Sequence, residues 1–364
     1  MSVKADAASV IRSSVCHLDA EAGRLAYRGF DVRELAEQAS FEQVAYLLVH
    51  GALPSAEALR SFTNDVRGEM VPRREPRKVV NLVPTGADEM AVLRTAVSAL
   101  ALRLPGDPTP DEASMLLGQL PGLVAARYRL ARGMTVVRPK RGLSFAANFL
   151  LMLQGEAPDV QVARAFEGAL VLRADNELNP SAFAVRVAAS TGADLVGCVT
   201  AGIAALAGPK HGAHSVHALQ MLLEIGTPER ADRWLRARLD AGASLPGFGH
   251  PVYAAGDPRT PTARGLAELA CERMGEPAYF ALAEAIERKG EQRSGTRANI
   301  DFWLATLYRA IGIPVELFTP VFALARTCGW IAHAREQQQS NAILRPRADY
   351  VGPPARAFLS ASRT

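Results

Sequence analysis

Residues 181–212, SAFAVRVAASTGADLVGCVTAGIAALAGPKHG, decide the fold that the sequence predicts. Residues 181–191 and 194–206 carry apolar side chains at intervals of three and four, which predicts two consecutive, strongly buried helices. Pro209 ends the second helix, because proline lacks an amide donor and restricts the residue before it. A third helix is predicted from about residue 213 to about residue 225.

The same helical pattern continues on both sides of this stretch. Residues 40–43 predict a capping box at the start of a helix that ends near Gly51. Thr319 and Pro320 predict the N-cap and the first residue of a helix that runs to about residue 339. Sustained alternation of apolar and polar residues is absent, so we predict an all-α fold. Short extended pieces are expected only near residues 23–27 and 345–351.

The composition limits the classes of function. With 49% apolar and 21% charged residues, the 364-residue chain is typical of globular proteins of one large or two moderate domains. Net charge is only +4 and the basic residues are dispersed, which argues against a nucleic-acid partner. We see no signal-peptide pattern and no uninterrupted apolar run long enough for a membrane span, so a cytoplasmic protein is expected. Four widely spaced cysteines predict free, buried thiols: Cys16, Cys198, Cys271 and Cys328.

Three separated residues carry the candidate chemistry: His211 in GPKHG, His250 in GFGHP and Asp301 in NIDF. A carboxylate base with imidazoles that hold a developing oxyanion can remove a proton next to a carbonyl. His211 precedes the third helix, where free amides and the helix dipole favour a neutral imidazole or a bound anion. Taken singly, His250 is also compatible with a structural turn, and Asp301 with an ordinary helix N-cap.

The histidines at positions 211, 214 and 217 suggest a metal site as an alternative. On a helix, however, the third of these lies roughly 240° around the axis from the first, so the three side chains cannot converge. No metal site is predicted. Arginines 259, 326 and 345 are each compatible with ordinary ion pairs, although Arg326 lies in very apolar surroundings and a buried cation needs a partner.

Ordered segments along nearly the whole chain resemble the citrate synthase family. They are LAYRGFD at 25–31, FEQVAYLL at 41–48, ELNPS at 177–181, FTPVFALAR at 318–326 and RPRADYVG at 345–352, together with the three candidate catalytic segments. The resemblance implies a Claisen condensation of acetyl-CoA, or a related acyl-CoA, with oxaloacetate or a similar 2-oxo acid. Thioester hydrolysis to citrate or an alkylcitrate would follow.

The resemblance also implies a role for each matching residue. Asp301 would remove the methyl proton, His211 would hydrogen-bond the thioester oxygen, and His250 would polarise the ketone. The oxo acid would be bound by four further side chains: Arg259, Phe322, Arg326 and, reaching in from the second subunit of a homodimer, Arg345. The loop around Leu245, Gly247 and Gly249 would contact the CoA adenine. Lys289 and Arg297 would contact the CoA phosphates, although a solvated helix end explains these two basic residues equally well. Acyl-CoA is then a substrate, and no cofactor is expected.

Two helical domains follow from the same resemblance. Residues 1–211 and 319–364 would form a large dimerisation domain, and residues 212–318 a small, mobile domain with the CoA loop. Closing the cleft between them would exclude water before the thioester is cleaved.

The chain departs from the family pattern at three positions. Asn176 stands where the family has a histidine that helps hold the oxo acid, and Arg173 stands where a second histidine is common. Arg173 is placed to restore positive charge nearby. Leu304 replaces a frequent serine. Two interpretations remain: a working enzyme with an altered oxo-acid pocket, in which Asn176 still binds substrate, or a degenerate paralogue that binds ligands with little turnover.

Overall fold

The computed structural model describes residues 11–102 and 111–356 and confirms the all-α prediction. Within these residues the chain forms sixteen α-helices. The first eight are α1 Val32–Gln38, α2 Phe41–His50, α3 Ala56–Gly68, α4 Arg74–Leu82, α5 Glu89–Ser98, α6 Glu112–Leu130, α7 Phe145–Gln154 and α8 Val160–Arg173. The others are α9 Pro180–Ser190, α10 Leu195–Leu206, α11 His214–Ile225, α12 Pro228–Asp240, α13 Thr260–Arg273, α14 Pro277–Ser294, α15 Ile300–Ala310 and α16 Phe318–Ser340.

One small antiparallel sheet precedes the helices. Its strands are β1 Cys16–Asp19, β2 Arg24–Tyr27 and β3 Phe30–Asp31, in the order β1-β2-β3. Cys16 lies opposite Tyr27, and Ala26 lies opposite Asp31. The extended piece expected near residues 23–27 is therefore confirmed as β2, whereas residues 345–351 form no strand.

Helix α16 runs through the core and positions one wall of the site. Gly202 of α10 and Gly329 of α16 permit its close contacts, because a Cβ would lie 2.9 Å from Trp330 at the first position and 2.4 Å from the Ala174 carbonyl oxygen at the second. By length and composition, residues 315–340 could also cross a membrane, yet 83% of the most apolar window is buried inside the protein. This burial is the property of a core helix.

The predicted helix boundaries hold at α2 and shift at α16. Ser40 and Gln43 form the reciprocal capping box, and Gly51 ends α2 in the left-handed conformation. Helix α16 begins at Phe318 rather than after a Thr319 cap, so that part of the prediction is wrong. The Thr319 hydroxyl instead donates a hydrogen bond to the Gly212 carbonyl, 3.1 Å away, and so joins α16 to the turn that holds His211.

Two buried glutamates lie where α2 and α8 meet. Glu42 Oε1 accepts a hydrogen bond from the Phe145 amide at 2.7 Å, and Glu167 Oε2 pairs with Arg164 at 3.1 Å. The second oxygen of each carboxylate is buried and has no hydrogen bond within the described residues. Burial, together with the charge of Glu167, raises the pKa of Glu42 to about 7.

Replacing Glu42 with Gln is expected to flatten the pH dependence of stability. The unfolded chain releases this proton near pH 4.5, whereas the folded protein keeps it up to about pH 7. The unmodified protein therefore loses up to about 3 kcal/mol of unfolding free energy as pH rises through this window. Urea unfolding at pH 4.5 and pH 8 measures the difference, with exposed Glu37→Gln as control. Equal pH dependence in Glu42→Gln and the unmodified chain would contradict the assignment.

Candidate active site

The three candidate catalytic residues line one cleft of about 1030 Å³. Its walls come from the end of α8, residues 176–180, the turn before α11 and α11 itself, residues 244–252, the first turn of α15, and Phe322 and Arg326 of α16. His211, His250 and Asp301 are separated widely in sequence, so only the fold brings them to a common space. The arrangement places a carboxylate and two imidazoles within reach of a single ligand.

Asp301 is the second residue of α15 and is not its cap. Asn299 caps the helix and accepts a hydrogen bond from the Asp301 amide at 2.9 Å, so the N-cap alternative for Asp301 is wrong. The Asp301 Oδ1 atom accepts a hydrogen bond from Ser215 Oγ at 2.6 Å and forms an ion pair with Arg173. Burial opposes ionisation, but the Arg173 charge and the Ser215 hydrogen bond prevail and hold the pKa of Asp301 well below its usual range.

His211 lies in the tight turn between α10 and α11. Gly212 is required beside it, because a Cβ there would lie 2.2 Å from the Leu206 carbonyl oxygen. The His211 Nε2 atom is 2.9 Å from Ser181 Oγ, and the imidazole packs edge-on to Phe322. Burial and the nearby Arg326 charge lower the pKa of His211 to about 4, so the ring is neutral at pH 7.

His250 is held in one tautomer by the backbone that follows it. The amides of Val252 and Tyr253 donate to its Nδ1 atom at 3.1 and 3.3 Å. Nδ1 therefore acts as an acceptor, and the proton of the neutral ring lies on Nε2. Burial and the Arg259 charge lower the pKa of His250. The ring is thus a neutral donor on the cleft wall.

The glycines of the 245–249 loop set its path beside α15. Gly247 has a φ of 78°, and a Cβ on it would lie 2.9 Å from the Phe302 Cβ. The Gly249 amide donates to the Arg297 carbonyl at 2.8 Å, while Asn299 Nδ2 donates to the Gly249 carbonyl at 2.6 Å. Leu245, Gly247 and Gly249 all line the cleft.

Two buried arginines line the cleft near His211 and His250. Arg259 makes a bidentate ion pair with Asp257, with distances of 2.9 and 2.7 Å. Arg326 donates from Nε to the Arg173 carbonyl at 2.8 Å, but its buried Nη1 has no hydrogen-bond partner within the described residues. Its guanidinium lies 4.8 Å from the centre of the Phe322 ring. An anionic ligand would supply the missing partner.

Sequence reasoning missed several residues that organise this site. Ser215 holds Asp301, and Asp257 orients Arg259. The hydroxyl of Tyr253 donates to Asn176 Oδ1 at 3.0 Å. Asp257, two residues before Arg259, was the one recognisable signal, because aspartates often bind a backbone amide two residues ahead, as this one does.

Other predicted site residues lie outside the cleft of this chain. Arg345 and Arg297 are exposed, and Lys289 donates to the Pro228 carbonyl at 2.7 Å. Leu304 is fully buried within α15.

His214 and His217 do line the cleft, yet the described residues include no group of three His, Cys, Asp or Glu side chains arranged to hold a metal ion.

Comparisons with known proteins agree with this fold. The family model described as "Citrate synthase, C-terminal domain" matches residues 5–347. Citrate synthase from Haloferax volcanii is 37% identical, with 94% of this chain and 93% of the relative covered. A 2-methylcitrate synthase from Mycobacterium tuberculosis is also 37% identical, with 90% and 84% covered.

A solved structure gives the same result. The ternary complex of citrate synthase from Thermoplasma acidophilum with carboxymethyl coenzyme A and oxaloacetate superposes with a TM-score of 0.88. It is 29% identical, and the match covers 97% of this chain and 96% of that one. Sequence and fold agree over almost the entire length of the chain. The chain therefore belongs to the citrate synthase family of acyltransferases.

Proposed function

We propose that this protein condenses acetyl-CoA, or a related acyl-CoA, with oxaloacetate and then hydrolyses the thioester. The supporting observation is one cleft that holds an ionised carboxylate, two neutral imidazoles and the incompletely bonded guanidinium of Arg326. The products are free CoA and citrate or an alkylcitrate. A degenerate paralogue is not supported, because all the side chains proposed for catalysis are present and face the same space.

In the proposed reaction Asp301 accepts a proton from the acyl α-carbon. The resulting enolate carbon forms a bond to the ketone carbon of oxaloacetate, and the ketone oxygen takes the proton of His250 Nε2. Water then adds to the thioester carbonyl, and the CoA thiolate leaves and takes up one of the water protons. The other water proton returns to His250 Nε2, and Asp301 releases its proton to solvent. A carboxylate is a weak base for such a proton, so stabilisation of the enol oxygen is essential.

His211 is proposed to supply that stabilisation. Ser181 Oγ accepts a hydrogen bond from Trp330 Nε1 at 3.1 Å, and its own proton has two acceptors within reach, Asn179 Oδ1 at 2.7 Å and His211 Nε2 at 2.9 Å. When the hydroxyl donates to His211, the proton of the neutral imidazole lies on Nδ1. That N–H can then donate to the thioester oxygen as the enol forms.

The oxo acid is proposed to bind against Phe322 with its carboxylates on arginines 259 and 326. Arg345 is proposed to complete the pocket from the second subunit. Leu245, Gly247 and Gly249 are proposed to contact CoA. Lys289 and Arg297 remain candidates for its phosphates, and Lys210 and Arg238 are cations that already line the cleft.

The proposed homodimer would cover an exposed apolar face of α9 and α10. Phe183 and Val187, four residues apart on α9, are 40% and 37% exposed, and Ala204 is exposed on α10. Small residues let helices approach closely across such an interface. We also propose the domain division at 211/212 and 318/319, with residues 1–10, 103–110 and 357–364 outside the described residues. A location in the cytoplasm is proposed as well.

Thiol release tests the proposed function. Acetyl-CoA and propionyl-CoA are each incubated with the protein, with and without oxaloacetate, and free CoA is measured with a thiol reagent. Oxaloacetate-dependent release with at least one acyl-CoA is expected. Release that does not depend on oxaloacetate would indicate a thioesterase, and no release with either acyl-CoA would overturn the proposal.

Asn176→His is expected to improve oxo-acid binding. The family pattern has histidine here, and Asn cannot provide a charged donor to a carboxylate. A charge-assisted hydrogen bond contributes about 1.5–3 kcal/mol, so the KM for oxaloacetate should fall by roughly tenfold or more, with little change in the KM for acyl-CoA. Steady-state kinetics with varied oxaloacetate measure it, with Asn176→Gln as the neutral control. An unchanged or higher KM in Asn176→His would show that the pocket is matched to Asn176.

A further inference from the structure

Arg173 lies at the C-terminal end of α8 and joins three elements of the site. Its side chain is 3% exposed. The Nη2 atom donates to Ser215 Oγ at 2.6 Å and pairs with Asp301 Oδ1, while Ser215 Oγ itself donates to the same Oδ1 atom. The guanidinium also stacks on Phe322, with its carbon 4.2 Å from the ring centre. Arg173, Ser215 and Asp301 thus form a closed triangle of polar contacts.

We propose that Arg173 is the positioning residue for the catalytic base: it keeps Asp301 ionised and fixes which carboxylate oxygen faces the substrate. This inference rests on the proposed function of the cleft. It assigns a specific role to a residue that differs from the usual family pattern.

The orientation follows from the hydrogen bonds. Both side-chain donors contact Oδ1, so the lone pairs of Oδ2 are the ones left to accept a substrate proton. Phe322 and Ser215 limit the rotation of the guanidinium, and its planar fork keeps the contact directional. The base is therefore held in place before the acyl-CoA arrives.

The charge state follows from burial. An isolated buried carboxylate takes up a proton, because the charged form loses its hydration. Arg173 remains cationic at every relevant pH and offsets that loss. The other polar or titratable groups around Asp301, from α11, the turn before it, the 245–252 loop and α15, are Ser215, His214, His211, His250 and Tyr308.

This arrangement changes the expectation that Arg173 restores positive charge for the oxo acid. Its Nη2 atom is already engaged by Asp301 and Ser215, so its charge is directed at the base. Arg173 instead connects the two ends of the site, because its carbonyl accepts the hydrogen bond from Arg326 Nε. Arg173 therefore contacts both Arg326, which is proposed to bind the oxo acid, and Asp301, the proposed base.

The pH profile of Arg173→Gln tests the proposal. Between pH 5 and pH 8 the unmodified protein should show no loss of kcat/KM from protonation of the base. In Arg173→Gln the buried Asp301 loses its cation, so kcat/KM should fall about tenfold for each pH unit below a new pKa within this range. Arg173→Lys keeps the charge and should keep the flat profile at a lower kcat. Arg164→Gln, also on α8, is the matched control.

A second measurement requires no turnover. With 13C-labelled aspartate, the Asp301 carboxyl resonance is identified by its absence in Asp301→Asn and followed by NMR from pH 4 to pH 8. This resonance should shift with pH in Arg173→Gln and remain that of an ionised carboxylate in the unmodified chain. Because the signal comes from Asp301 alone, it distinguishes protonation of Asp301 from protonation of His211. An Asp301 resonance that stays ionised in Arg173→Gln would overturn the inference even if the proposed condensation were wrong.

Discussion

Asp301→Asn is expected to lower kcat for the condensation by about 10²–10⁴-fold, the usual contribution of a general base. Asn has nearly the same shape, and its Oδ1 can still accept from Ser215 and Arg173, so the geometry of the cleft is preserved. It cannot take up the acyl proton. Steady-state thiol release with oxaloacetate measures the loss, while the KM for each substrate should change little.

The substitution also leaves Arg173 without its charged partner, and removing one member of a buried ion pair destabilises by about 3–5 kcal/mol. The double variant Arg173→Gln/Asp301→Asn removes both charges and is the matched control for stability. Asp240→Asn, an exposed change at the end of α12, is the control for activity. Activity within a few-fold of the unmodified protein in folded Asp301→Asn would exclude Asp301 as the base.

Arg326→Met is expected to raise the KM for oxaloacetate by about 10²- to 10³-fold. Arg326 is 1% exposed and its buried Nη1 atom has no hydrogen-bond partner within the described residues; loss of one partner from a buried charge pair with a ligand costs about 2–5 kcal/mol. Methionine fills much of the same volume without a charge. The proposed acyl-CoA contacts lie elsewhere on the cleft, so the KM for acyl-CoA should change much less.

Thermal unfolding provides a test of Arg326 that needs no turnover. A ligand that binds the folded state raises the unfolding temperature as its concentration exceeds Kd. Oxaloacetate should therefore stabilise the unmodified chain and leave Arg326→Met unaffected at the same concentration. Arg335→Met, on the same helix but paired with Asp111 nearer the surface, should respond like the unmodified chain. Equal stabilisation of all three proteins would contradict the role of Arg326.

The sequence predicted the helical fold and the core of the site because those features depend on local patterns. Apolar spacing and Pro209 predict α9, α10 and the turn that holds His211. The isolated charge of Arg326 among apolar residues predicted a buried cation, and its Nη1 atom has no partner within the described residues. In each case the feature is determined by residues that are close in sequence, so a local pattern is enough to predict it.

The features that could not be predicted depend on contacts between distant segments. Arg173 and Asp301 are 128 residues apart, and no spacing rule connects them. Taken singly, Asp301 is compatible with capping α15, but Asn299 two residues earlier takes that role, and the Asp301 carboxylate faces the cleft. Arg345 is exposed within its own chain, so its proposed role depends on a second subunit.

The most direct test of the central proposal is to identify the bond that forms. Acetyl-CoA labelled with 13C at the methyl carbon is incubated with oxaloacetate and the protein, and the products are followed by NMR. The proposed mechanism predicts that the label becomes a methylene carbon of citrate, with one CoA released for each citrate formed. Labelled acetate released with CoA, or label that remains in acetyl-CoA, would contradict it.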